Sequence, residues 1–211
     1  MSASDPLREQ YQDLAQQAHA AQLGMWCVLV SEILLFSALF ALYASYRLEF
    51  PDGFRAAARH TALGLGTAMT VLLIASSLLV ALGVDAMRRD AGRACRAWFA
   101  GGAAIGIAFL VMKAAEYRAH LRVGLAPAGH YTSAELPGRG PQIFFSLYYV
   151  ATGLHAIHVA VGVGVLAVLA WRAGRGRYDA RHFTPIELGG MYWHLVDAIW
   201  IFLWPLFYLL R

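Results

Sequence analysis

The chain has 211 residues, 59% of them apolar and 14% charged, with a mean hydropathy of +0.52. Soluble domains average roughly 45–50% apolar and about 25% charged, so the composition argues against a water-soluble domain and for a bilayer; at about 20 residues per spanning helix the length holds roughly five or six spans and no separate globular domain. The formal charge of +4 does not signal nucleic acid, because every basic residue but Lys113 is an arginine scattered through short connections, which reads as a topology signal and not a basic groove.

Residues 1–23 are polar and mix acids with amides. They lack the basic and apolar regions of a secretory signal, so no cleavage is expected. Five apolar stretches follow, at about 24–46, 61–83, 97–117, 143–171 and 188–210, each long enough to cross about 30 Å of hydrocarbon at about 1.5 Å per residue. The fourth is overlong, which implies tilt or a protruding end. FPDG at 50–53 and the segment 85–93 read as short connections; 118–142, rich in proline and glycine, cannot continue a helix. In the last connection, 172–185, Thr184 is a candidate cap for the fifth helix, with Glu187 as its capping-box partner and Pro185 in the first turn. The basic residues divide almost evenly between the two sides. Their density in the short connections after the second and fourth spans, with Arg88, Arg89, Arg93, Arg96, Arg172, Arg175, Arg177 and Arg181, together with Arg8 in the tail, puts the N-terminus in the cytoplasm. The expected architecture is all-α: a cytoplasmic segment 1–23 and a five-helix, multi-pass membrane domain 24–211.

Cys27 and Cys95 are too few and too far apart for a disulfide framework or a CxxC metal site, and read as unpaired thiols. Polar groups at membrane depth are costly and need a partner or a task. Glu32 lies in the first span, His155 and His158 in the fourth, His194 and Asp197 in the fifth. Each of the last two pairs has i, i+3 spacing, which puts its members near one helix face. Glu32 and Asp197 fall at similar depth, about 12–14 Å from the cytoplasmic end, so a buried polar layer across spans one, four and five is plausible. HxxH and HxxD with a glutamate carry elements of a di-metal centre, but such centres use ExxH pairs and more carboxylates. Hydrogen bonding between helices accounts for the same residues, and a proton-handling or lipid-headgroup role for Glu32 is a third reading. No catalytic or metal site is assigned. Lys113 and Glu116 read as a pair anchoring the outer interface, with Lys113 snorkelling to the headgroups. The small-residue runs GLGTA (64–68) and GGAAIGIA (101–108) read as helix-packing surfaces.

Four stretches point further: WCVLVSEILLFSALFALY (26–43), KAAEYRAHL (113–121), FFSLYYVATGLHAIHVAVG (144–162) and IELGGMYWHLVDAIWIFLWPLFYL (186–209). Together and in this order they resemble the signature helices of subunit III of the haem–copper oxidases, over nearly the whole chain after residue 20. The resemblance implies a non-catalytic subunit of a bacterial terminal oxidase in the cytoplasmic (inner) membrane. Such a subunit binds no haem or copper, which belong to its partners. It packs directly on subunit I, associates with subunit II and a small subunit IV, holds structural phospholipids, and supports oxygen reduction and proton pumping by subunit I. Carried over, Glu32 is the family's carbodiimide-reactive helix glutamate, and Glu116, His155, His158, Glu187, His194 and Asp197 match its other recurrent polar positions. Many family members have seven helices, and this chain lacks the first two. A subunit III-like protein of nitric oxide reductase and a quinol oxidase subunit III share these features and remain alternatives.

Overall fold

The computed structural model describes residues 13–180 and 182–210. Arg8, Arg181 and Arg211, and most of the polar tail, lie outside them. Six helices follow in order: α1 Leu14–Glu49, α2 Pro51–Arg59, α3 Leu63–Arg88, α4 Gly92–Arg122, α5 Arg139–Gly174 and α6 Thr184–Trp204, the last continued by a π-turn at Pro205–Leu209. Among the described residues there is no strand. Five of the helices, all but α2, are long and apolar enough to span a membrane.

α3, α4, α5 and α6 form a closed ring of packed neighbours, and α1 leans on the outside against α5 and α6. Small residues set the closeness of the ring. At Gly106, in the second small-residue run, a Cβ would stand 2.7 Å from the Trp193 indole of α6, so the ring fits only because that position has no side chain. Without a hydrophobic force between helices inside lipid, such close packing and interhelical hydrogen bonds hold a bundle together. Two of these bonds come from buried indoles. Trp193 Nε1 donates to Ser76 Oγ at 3.1 Å, and Ser76 donates onward to the Gly102 carbonyl at 3.0 Å. Trp200 Nε1 donates to Thr70 Oγ1 at 3.0 Å.

Several element boundaries differ from the expectation. Residues 14–23 are not a separate tail but the first turns of α1, started by Asp13, whose carboxylate accepts from the Gln16 N–H at 2.6 Å. FPDG is not a loop. Pro51 occupies the first turn of α2, where its missing N–H costs nothing, and Phe54, Ala57 and Ala58 at i, i+3, i+4 bury one face of that helix; a nine-residue element was too short to register as an apolar run. Thr184 is not a cap: it is the first helical residue, Phe183 holds the cap position, and no side chain bonds there. Glu187 is engaged instead by Arg88 of α3 at 3.0 Å, which removes it from any capping box. Cys95 is buried in the first turns of α4, and both cysteines are free thiols.

Candidate functional site

Lys113, the sole lysine, does not snorkel. It is 2% exposed and lies about 14 Å along α4 from that helix's last residue at about 1.5 Å per residue, aimed into the bundle. Its ammonium bonds Glu116 Oε2 at 3.0 Å and accepts company from two phenols, donating to Tyr148 Oη and Tyr208 Oη at 2.8 Å each. Tyr208 in turn donates to Glu116 Oε2 at 2.8 Å. The Tyr148, Tyr117, Trp200 and Tyr208 rings surround the cation, with centroids 4.3, 5.2, 5.3 and 5.4 Å from Nζ. A buried cation is tolerable only when paired and fully hydrogen-bonded. A desolvated cation over an aromatic face gains about 2 kcal/mol or more.

The π-turn supplies Tyr208. Pro205 has no N–H to give the turn before it, and the chain widens so that the Leu210 N–H bonds the Pro205 carbonyl at 3.0 Å. Carbonyls loosened by this turn are taken up by other elements: Tyr43 donates to Leu206, Thr61 to Phe207 at 3.0 Å and Arg47 to Leu210 at 3.2 Å. The phenol ring of Tyr208 then lies flat on Gly66, where a Cβ would approach it to 2.7 Å. π-bulges within α-helices recur at functional sites. Here the bulge brings a phenol to a buried ion pair.

The other polar residues do not form one layer. Glu32 and His158 meet on the α1–α5 seam, with Nε2 2.8 Å from Oε2 and both side chains partly exposed. His158 Nδ1 is 2.8 Å from the Leu154 carbonyl, which can only accept, so Nδ1 carries a proton. His155, three residues away, turns inward by the 60° that three helical residues leave short of a full turn. It is wholly buried, stacked on Trp200 at 5.2 Å and edge-on to Phe109 at 5.7 Å, with neither ring nitrogen hydrogen-bonded. On α6 the same offset separates His194, which faces out of the bundle and bonds Ser77 at 2.6 Å, from Asp197, which is 4% exposed and has neither carboxylate oxygen hydrogen-bonded. The spacing thus divides HxxH and HxxD between seams. Among the described residues no group of three or more His, Cys, Asp or Glu side chains is placed to hold a metal ion.

Sequence reading found the charged members of these sites and missed their neutral partners, Tyr148, Tyr208, Trp200 and Ser77. Pro205 followed by an aromatic pair was the available signal, since a proline near a helix end marks a departure from regular hydrogen bonding.

A family model described as cytochrome c oxidase subunit III matches residues 12–210. The chain is 34% identical over 193 residues to the cytochrome c oxidase subunit 3 of Thermostichus vulcanus, covering 89% of this chain and 86% of that one. It is 32% identical over 188 residues to the protein of the same name from Synechocystis sp., covering 89% and 74%. With the protein of that name from Alkalihalophilus pseudofirmus it shares 30% identity over 188 residues, covering 89% and 85%.

Proposed function

Because the chain belongs to the cytochrome c oxidase subunit III family, we propose that it is the non-catalytic subunit III of a bacterial haem–copper terminal oxidase, set in the cytoplasmic membrane beside subunit I. The observation that carries this reading is a family match over residues 12–210, a range that takes in all five helices long and apolar enough to span a membrane. In this reading the haems and copper belong to partner subunits, with subunit II and a small subunit IV in the same complex. This chain supports oxygen reduction and proton pumping without reacting with oxygen itself. The N-terminus is cytoplasmic, 1–23 leads into the membrane domain 24–211, and structural phospholipids associate with the chain. The Glu32–His158 pair, partly open on the α1–α5 seam, suits a group that meets lipid headgroups or exchanges protons, whereas the caged Lys113–Glu116 pair suits a fixed structural charge.

Purification through a tag on this chain tests the reading. A copper-containing complex that consumes oxygen on reduced cytochrome c supports it. A complex that oxidises quinol directly moves the chain to the quinol branch of the family, and a non-haem-iron complex reducing nitric oxide overturns the oxidase assignment. Within the complex, Glu32→Gln is expected to assemble with normal haem content and to show modestly altered turnover or a shorter active lifetime. Complete loss of oxygen reduction in a fully assembled complex would contradict an accessory role.

A further inference from the structure

The hydroxyls of Tyr43, Tyr131 and Tyr192 donate to backbone carbonyls, Tyr131 at 2.7 Å and Tyr192 at 3.2 Å, and that of Tyr117 meets the Thr152 hydroxyl at 2.6 Å. Carbonyls and alcohols are not bases near neutral pH, so none of these phenols has a partner on which to leave a proton. Tyr208 differs. It is fully buried, and its hydroxyl donates to Glu116 Oε2 at 2.8 Å, an oxygen that Lys113 also holds at 3.0 Å. Lys113 donates to the Tyr208 oxygen as well, at 2.8 Å. Beside it lies Tyr148, with the two hydroxyl oxygens 3.4 Å and the ring centroids 6.3 Å apart. From Tyr148 the rings continue to Tyr149 at 5.4 Å and Tyr117 at 5.9 Å, both partly exposed.

A phenol that loses an electron but keeps its proton becomes a cation, and a new charge in a low-dielectric interior is costly. Losing the proton with the electron avoids a charge on the ring, but it requires a base within about 2.6–3.2 Å of the hydroxyl. Glu116 stands at that distance. Resting on the assignment of the chain to an oxygen-reducing complex, we propose that Tyr208 is a redox-active tyrosine: it gives one electron to an oxygen-derived one-electron oxidant, and its phenol proton moves along the existing hydrogen bond to Glu116 Oε2. The phenol O–H bond breaks and an O–H bond forms on the carboxylate, leaving a neutral phenoxyl, a protonated Glu116 and an oxidant reduced by one electron. Lys113 keeps its hydrogen bond to the phenoxyl oxygen. The cluster gains one positive charge, carried by the Lys113 ammonium among the four rings that face it, a placement that favours a desolvated cation. Tyr148, Tyr149 and Tyr117 pass the electron outward, because rings this close exchange an electron without any group moving. In the resting state the ion pair stays ionised, and one electron from a reductant reverses the step as Glu116 returns the proton.

Difluorotyrosine, with fluorine at both ring carbons beside the hydroxyl, tests this when placed at Tyr208 in the intact, purified complex. The oxidised complex is mixed with hydrogen peroxide and frozen, and its radicals are recorded by electron paramagnetic resonance. The expected result is a tyrosyl signal with a fluorine-split component when the label is at Tyr208 and none when it is at Tyr192. No split component from Tyr208, or equal components from both positions, overturns the proposal. The second measurement reads protection against the oxidant. Tyr208→Phe is expected to at least double the rate at which peroxide inactivates the complex. Tyr43→Phe, which removes a buried phenol bonded to the same π-turn, is expected to leave that rate unchanged; equal sensitivity of the two variants marks a structural role and overturns the redox one. Peroxide radicals confined to other residues of a haem–copper complex sink the tyrosine site and leave the functional assignment standing, whereas purification without any haem–copper complex sinks both.

Discussion

Lys113 carries its charge among four rings, two phenols and one carboxylate, so the stability of this cluster depends on all members being present at once. Breaking a buried ion pair by removing one partner leaves an uncompensated charge and costs about 3–5 kcal/mol, whereas removing both together costs far less. Glu116→Gln is therefore expected to lower the thermal midpoint of the complex sharply, and Lys113→Met/Glu116→Gln to recover a large part of the loss; a double variant as unstable as the single one would show that packing, not charge, holds the site. Tyr208→Phe removes a phenol that touches both charges and should cost about 1.5–3 kcal/mol, the range for hydrogen bonds to charged groups. The Arg88–Glu187 bridge is different in kind. Arg88 is 60% exposed, and a double-mutant cycle there should read no more than about 1 kcal/mol and shrink in salt.

At the level of elements, the π-turn at Pro205–Leu209 decides where Tyr208 goes. Pro205→Ala restores an N–H and permits a regular α-helical continuation, which rotates residues 206–209 away from Gly66 and Lys113. The expected outcome is the same loss of stability as Tyr208→Phe or greater, read in the same thermal assay, although alanine is the better helix former by about 3 kcal/mol; a more stable protein would mean that the π-turn is merely tolerated. Gly106→Val tests the α4–α6 contact in the same way. Its methyls have no room against Trp193, and the variant should reduce the yield of assembled complex. The helices themselves were legible in the sequence, because a run of about 20 apolar residues has no other low-energy form in a bilayer. α2 was not, because nine residues with a polar face make no apolar run, although Phe54, Ala57 and Ala58 at i, i+3, i+4 already mark its buried side.

For the whole molecule, the ring of α3 to α6 and the outlying α1 leave two kinds of outer surface: apolar faces that lipid can cover, and two seams with polar residues at membrane depth. The proposed orientation rests on the arginine-rich connections. With the N-terminus cytoplasmic, a cysteine introduced at Asp179 should be modified by a membrane-impermeant thiol reagent only from the cytoplasmic side, and one at Ser133 only from the opposite side. The Cys27→Ala background, which removes the exposed native thiol, keeps the readout clean, and a reversed pattern inverts the topology.

By itself the sequence determined that the chain crosses a membrane five times, which residues carry charge inside it, and, through four motif stretches, the family. Those properties are local: hydropathy over a span and residue identity at a position need no knowledge of neighbours. Only the tertiary structure decided what each polar group meets. His155 and His158 share a motif yet face Trp200 and Glu32, and Lys113, read as an interface anchor, is caged by residues 35 and 95 positions away. The physical reason is angular. A 60° offset between i and i+3 sends two side chains to different seams, and a single proline can turn a phenol toward a charge, so partners are fixed by how helices pack and not by the order of residues along them.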